Sequence, residues 1–262
     1  MDVLRKELEQ IYSSQHLEDE SLDVAIVEMC KRKAESVASV TDACLVVTDA
    51  ARDFCYLYAG GIAPLLDIGN ETFTYKEISS SDEDLIYNRL HPEDLVEKRM
   101  LEYEYFKFVN SMSAVEKIRY KAMCRIRIKD KDGKYVVFDN STQILQPSPT
   151  GKIWLILCTY DLSPDQNING SINAHIKNNR SGEIISLSFA EKKDKLLTTR
   201  EKEILLLVRD GKLSKEIAAI LGISKNTVDR HRQNILEKLC VGNSFEAITA
   251  ATSMGLLAEK HG

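Results

Sequence analysis

No CxxC pair and no zinc-like spacing occurs among the six cysteines, Cys30, Cys44, Cys55, Cys124, Cys158 and Cys240. That removes the common redox and structural-zinc readings, and several of these cysteines lie in apolar strand-like runs, where the residue is a small buried hydrophobe. No apolar stretch approaches the roughly 20 residues a membrane helix needs; the densest, WLILC and ILLLV, are far shorter. The opening MDVLRKELEQ alternates charged and apolar residues without an h-region, so no secretory signal and no membrane partner are expected, and a cytoplasmic location is. There is no G-x-S-x-G, no P-loop and no H-E-x-x-H, and His16, His91, His175, His231 and His261 are scattered. The expectation is a protein that is not an enzyme, with no metal site and no cofactor that its residues name. No internal repeat is present.

What is present is length and asymmetry. The 262 residues suffice for two ordinary domains, and 44% hydrophobic with 29% charged content is that of a globular chain. The net charge of −5 argues weakly against a polyanionic partner. That average hides a division, because from Lys192 onward 13 Lys and Arg face 9 Asp and Glu, a net of +4, leaving 22 against 31, a net of −9, in the rest. A basic module on an acidic body suits a nucleic-acid reader whose other half does something else.

Residues 1–42 read as helical, with Val24, Ile26, Val27, Met29 and Cys30 forming a broad apolar face. The short β-branched and aromatic runs ACLVVTD and FCYLYAGG read as a strand pair. LHPEDLVEKRMLEYEYFKFV follows as a helix, with Pro92 in its first turn and Glu93 and Asp94 at its positive end. AMCRIRIKD alternates, Cys124, Ile126 and Ile128 to one side and Arg125, Arg127 and Lys129 to the other, and the KDGK and PSPTGK turns link it to KYVVFDNSTQIL and KIWLILCTY. Helices inserted between two early and three late antiparallel strands make an α+β domain. Over residues 43–163 the order resembles the PAS fold, carried by LHPEDL, the RIRIKDKDGKY hairpin and the KIWLILCTYDLS strand. That resemblance implies a sensory or dimerisation module, some members of which hold a ligand between helices and sheet. Residues 164–196, polar and rich in Asn, Ser and Gly, read as a linker in which EIISLSF offers a short strand.

Residues 197–262 punctuate themselves. Thr198 and Glu201 make a capping-box pattern, Gly211 ends the first helix, Ser214 is placed to cap KEIAAIL, Gly222 permits a tight turn and Ser224 caps the next helix. Two short helices joined by a glycine turn are the helix-turn-helix arrangement. LTTREKEILLLVRDGKLSKEIAAILGISKNTVDRHRQNILEKL resembles the LuxR/FixJ-type DNA-binding domain along nearly its full length. The matching marks include Arg200-Glu201, Lys215-Glu216-Ile217-Ala218, Thr227-Val228, His231, Ile235 and Lys238-Leu239. The resemblance implies an all-α four-helix module whose third helix enters the major groove, usually as a homodimer on an inverted repeat.

The wheel of that helix agrees. At about 100° per residue Val228, His231, Ile235 and Leu239 form one stripe, and the opposite side is polar. Arginine pairs with guanine and glutamine or asparagine with adenine, so Asn226, Arg230 and Gln233 are base-reading candidates. Asp229 joins them as an acceptor for cytosine, or as a partner that holds Arg230 or Arg232. Lys215, Ser224, Lys225, Thr227, Arg232 and Lys238 are phosphate candidates, with the amides of the helix N-terminus. His231 beside the stripe and His91 at a helix entrance read as structural.

Two departures from the family pattern stand out: Cys240 replaces a glycine after the third helix, and Ser244 replaces an arginine. The chain also lacks the acidic pair and Thr/Lys pattern of a receiver domain and the NCRFLQ-type motif of flavin photosensors. The expected function is a one-component, sequence-specific transcription regulator that binds double-stranded DNA as a homodimer. RNA polymerase and a small-molecule effector are its further expected partners. The alternative is an interaction adaptor whose helix-turn-helix no longer binds DNA. FEAITAATSMGLL, with Ala247, Ala250 and Ala251, offers a small-residue face for close helix approach.

Overall fold

The computed structural model describes residues 3–69, 73–81, 83–167 and 171–257; His261 lies outside them. The chain divides into two compact units, Glu7–Leu187, and Ser188–Gly262 with Met1–Lys6.

The larger unit is α+β. It takes α1 (Val3–Ser13) from Glu7 onward, then a 3-10 turn at Leu17–Asp19 and α2 (Val24–Thr41). The strands β1 (Cys44–Asp49), β2 (Phe54–Ala59) and β3 (Thr74–Ile78) follow, then α3 (Asp84–Tyr87), α4 (Pro92–Asn110) and α5 (Ala114–Lys117). The sheet is completed by β4 (Tyr120–Lys129), β5 (Tyr135–Pro147), β6 (Ile153–Leu162), β7 (His175–Asn178) and β8 (Ile184–Ser186). The eight strands among the described residues join one sheet in the order β3-β2-β1-β6-β5-β4-β7-β8. Every pairing is antiparallel.

The expected strand pair is β1 with β2, and the alternation of β4 holds, with Cys124, Ile126 and Ile128 buried. Two expectations are corrected. Residues 164–196 do not run as a free linker: β7 pairs with β4 and β8 with β7, so part of this stretch extends the sheet. Four residues suffice for β7 because its Ile176 and Asn178 are buried against the sheet, whereas a composition rich in Asn and Ser reads as loop. The broad apolar face of α2 also narrows: Val27, Cys30, Ala34 and Ala38 are buried, while Val24 and Met29 are exposed. A helix on a sheet seats only one stripe, and the two alanines let its backbone come close.

The register sorts the sheet into two faces. Leu45, Val47, Tyr56 and Tyr58 share one hydrophobic cluster with the buried stripe of α2 and with Trp154. Val46, Leu57, Cys158, Thr142 and Ala122 are cross-strand partners on the other face, where Cys124 pairs with Asn140 in the next row, and all are buried. Burial pushes the Cys124 thiol up to about 12 and raises those of Cys44 and Cys158, so these are inert thiols.

The smaller unit is helical: α6 (Ala190–Asp194), α7 (Thr199–Arg209), α8 (Ser214–Leu221), α9 (Lys225–Lys238) and α10 (Ser244–Ser253). Its core is Leu197, Ile204, Leu205, Ile217, Val228, Ile235 and Leu239 with the alanines of α10. Ala247, Ala250 and Ala251 are therefore not an exposed face, because α10 packs them inward against α7 and α9. The large apolar side chain that α10 leaves exposed is Phe245.

Candidate nucleic-acid interface

Each helix of the smaller unit starts and stops on a local signal. Thr198 caps α7 through a complete capping box with Glu201, and Gly211 adopts φ 79° just beyond its end. Ser224 caps α9, its Oγ accepting from the Thr227 N–H at 3.1 Å. Between them Gly222 takes φ 65°, a left-handed turn that a side chain would strain. Ser214 is not the cap of α8. That position is Leu213, whose N–H donates to Glu216 Oε2 at 2.8 Å, and Ser214 is the first helical residue.

On α9, Val228 and Ile235 are buried, and Leu239 closes the stripe at the helix end. Directly opposite, Asn226, Arg230 and Gln233 are exposed and Asp229 half-buried. These four fall within an arc of about 100° at about 100° per residue. Glu237 lies inside the same arc and accepts from Gln233 Nε2 at 3.3 Å. Lys215 on α8, and Ser224, Lys225 and Thr227 at the start of α9, are exposed as well. His231 borders the stripe, its buried Nδ1 without a partner among the described residues.

Three expected roles meet a different geometry. Asp229 does not pair with Arg230 or Arg232; Lys225 Nζ donates to its Oδ2 at 2.6 Å, one turn back along α9. The Lys225 ammonium, then the Ser214 hydroxyl, hold the Asp229 carboxyl below its ordinary range. Arg232 is drawn inward: its guanidinium donates to Ser214 Oγ and Ser244 Oγ, both at 3.0 Å, tying the starts of α8 and α10 to α9. Ser244, noted as a departure from the family pattern, is thus the acceptor of a structural contact. Lys238 points away from the arc and donates to Glu201 Oε2 at 2.7 Å. Its side chain is only 24% exposed and Glu201 is 3% exposed, so this lysine completes the capping box of α7 rather than facing a phosphate. Reading helix α9 in isolation missed both contacts because their partners lie on other helices. A signal existed for one: an acid fixed at the third position of a capping box attracts a cation.

Elsewhere, His91, Glu93 and Asp94 bring three ligand-type atoms together. Arg127 already sits among them, its backbone N–H and Nε donating to Asp94 Oδ2 at 2.7 and 2.9 Å and its guanidinium to Glu93 at 3.3 Å. Burial, and then the Arg127 charge, lower the His91 pKa. This is an ion-pair cluster that braces α4 on β4, and a second cation would have to displace the arginine.

Two short helices joined by a glycine turn, the second carrying an exposed polar arc opposite its core stripe, define a helix-turn-helix domain. Residues 195–251 match the family model described as bacterial regulatory proteins, luxR family, and the C-terminal unit carries a LuxR-type helix-turn-helix. Two curated proteins show the likeness. YgeK of Escherichia coli, an uncharacterised response regulatory protein, is 51% identical over 63 residues, 24% of this chain and 43% of that one. The transcriptional regulatory protein DesR of Bacillus subtilis is 54% identical over 59 residues, 22% of this chain and 30% of DesR. The chain thus spans less than half the length of these relatives. A solved structure of the Vibrio cholerae VqmA dimer aligns over 92% of both chains at a TM-score of 0.30 and 17% identity, too distant to carry residue roles. Among the described residues no helix is long and apolar enough to cross a membrane.

Proposed function

We propose that this protein is a one-component transcriptional regulator whose C-terminal unit reads duplex DNA. The observation that carries the proposal is the exposed arc of Asn226, Arg230 and Gln233 opposite the buried Val228 and Ile235, on the second helix of a helix-turn-helix. With α9 in the major groove, Arg230 and Gln233 meet base edges. Lys215, Lys225, the hydroxyls of Ser224 and Thr227 and the first amides of α9 meet phosphates. Asp229 is a specificity element that holds Lys225 off the backbone until a correct site offers a better partner.

In this reading residues 197–262 are the DNA-binding domain, 43–163 a PAS-like domain preceded by the helical segment 1–42, and the protein acts as a cytoplasmic homodimer on an inverted repeat. What supports the PAS-like reading is the strand order β2-β1-β6-β5-β4, two early strands beside three late ones, with α3, α4 and α5 inserted between. A small-molecule effector acts on that domain, and RNA polymerase is the downstream partner.

The test is competition binding to duplex DNA across a salt series. Two cationic phosphate contacts per protomer, Lys215 and Lys225, give four in a dimer and a slope of log K against log salt of about −3.6. A second reading, an adaptor that has lost DNA binding, is favoured by the pairing of Lys225 with Asp229 and of Lys238 with Glu201, which consumes basic side chains. Absence of duplex binding even at low salt decides for the adaptor.

A further inference from the structure

Two buried carboxyls of the N-terminal unit share one buried ammonium. Glu83 is 3% exposed, Glu102 5% and Lys98 0%. Lys98 Nζ donates to Glu102 Oε1 at 2.7 Å, and the Tyr87 hydroxyl donates to the same oxygen at 2.6 Å, so the ammonium is committed to Glu102. Glu83 has no cation in ion-pair contact among the described residues; its partner is the hydroxyl of Tyr160, itself fully buried on β6.

The groups that face Glu83 come from every element around it. α3 supplies Tyr87, α4 supplies Lys98 and Glu102, β6 supplies Cys158 and Tyr160, and β1 supplies Cys44, the cross-strand partner of Tyr160. Of these only Lys98 is a cation. Arg99, the next basic residue of α4, lies with its guanidinium over the Tyr87 ring at 4.3 Å. Burial, and then the nearby carboxylates, raise the pKa values of Tyr87, Tyr160, Cys158 and Cys44, which keeps all four neutral near pH 7. Burial likewise pushes the Glu83 carboxyl up. The Lys98 charge and the Cys158 and Tyr160 donors oppose that push, Glu102 adds to it, and the balance stays upward. The physical reason is general: a second negative charge held out of water without a counter-charge of its own costs far more than a neutral acid.

This carboxyl sits where a segment is fastened to the sheet. Glu83 immediately precedes α3, and its carbonyl accepts from the Ile86 and Tyr87 N–H groups at 2.8 and 2.9 Å. Before it, the Ser81 N–H donates to Asp53 Oδ1 at 2.7 Å; beyond α3, Leu90 bridges Ile128. Between these two outer fastenings the Glu83 side chain is an inward peg, bonded to Tyr160. We propose that Glu83 is a neutral acid at pH 7 and a proton-linked latch, which seats α3 on β6 through Tyr160 when protonated and releases it when ionised. The N-terminal unit is thereby sensitive to rising pH. A raised folded-state pKa gives stability that is complete below the unfolded value of about 4.3 and is lost as pH rises through the folded value. Within that window each pH unit lowers the folding constant by about tenfold at most. The latch goes beyond the transcriptional reading and does not depend on it.

Infrared spectroscopy of the full-length protein across a pH series reads the acid directly, through the C=O stretch of a protonated carboxyl. A carboxylic acid band should persist at pH 7, disappear in Glu83→Gln, and shift in frequency in Tyr160→Phe, which keeps the acid and removes its partner. Charge balance supplies two further signs that a merely structural glutamate would not give. Glu102→Gln frees Lys98 to neutralise Glu83, so the band should titrate away at lower pH. Lys98→Met strips the counter-charge and should add a second acid band. Hydrogen exchange at the Ile86 and Tyr87 amides should rise with pH beyond its intrinsic rate in the wild type and not in Glu83→Gln. No acid band at pH 7 overturns the latch. So does a band that none of the substitutions at positions 83, 102 and 160 alters, or protection of α3 that stays constant through the titration.

Discussion

Replacing Glu201 tests how the C-terminal unit is held together. Its Oε2 accepts from the Thr198 N–H at 2.8 Å, the Thr198 hydroxyl at 3.0 Å and the Lys238 ammonium at 2.7 Å. Glu201→Ala removes the reach-back half of a capping box, worth about 1 kcal/mol. It also leaves Lys238 without its counter-charge. Losing one partner of a fully buried pair costs about 3–5 kcal/mol, but Lys238 is 24% exposed and can rehydrate in part, so a total of about 2–3 kcal/mol is expected. Glu201→Gln keeps a side chain able to reach the Thr198 N–H and loses only the charge, for about 1–1.5 kcal/mol. Combined with Lys238→Met, it should show a coupling energy of about 1–2 kcal/mol. The assay is urea unfolding by far-UV circular dichroism, with Trp154 fluorescence reporting the other unit separately and hydrogen exchange at α7 and α9 locating the loss. Equal costs for the alanine and glutamine variants, or no coupling with Lys238, would refute the reasoning. The pH dependence gives an independent check. Burial acts to raise the Glu201 carboxyl, but the Lys238 ammonium, then the Thr198 N–H and hydroxyl, outweigh it and hold it below its ordinary range. A depressed folded-state pKa contributes stability above the unfolded value of about 4.3, lost as pH falls through the folded one. The wild-type unit should therefore weaken below about pH 4.3, and Glu201→Gln should flatten that part of the profile.

Further outcomes are expected. Cys240 holds φ 56°, so Cys240→Gly relieves roughly 1–2 kcal/mol of left-handed strain against about 0.4–1 kcal/mol of added unfolded-state freedom. The net is a stabilisation of about 0.5–1 kcal/mol, read as a higher urea midpoint at unchanged slope, and a lower midpoint contradicts it. On DNA, Arg230→Ala should lose about 1–3 kcal/mol of discrimination at one base pair while Lys215→Ala weakens all sequences alike, and equal effects on every sequence would reverse these assignments. Asp229→Lys, which removes the acceptor of Lys225, should raise affinity for random duplex and blur sequence preference in competition binding; preference left intact reduces Asp229 to a solvated flank.

The sequence by itself determined what depends on neighbours along the chain. Thr198, Glu201, Gly211, Gly222 and Ser224 set the ends of helices through bonds and dihedrals within a few residues, and the alternation in β4 and the period of α9 assigned core and surface faces that the structure keeps. Tertiary structure decided what depends on a partner far along the chain. Lys238 and Arg232 looked like phosphate ligands because long cations on a polar helix read that way; Glu201, 37 residues away from Lys238, and the serines at 214 and 244 claim them instead. The strand β7 exists because the edge of β4 offered it backbone partners, though its own residues read as linker. The buried ion pair of Lys98 and Glu102, with Nζ donating to Oε1 at 2.7 Å, was invisible for the same reason. On α4 these residues are an ordinary charged repeat one turn apart, and only the sheet and helices packed around them turn a solvated pair into a buried one.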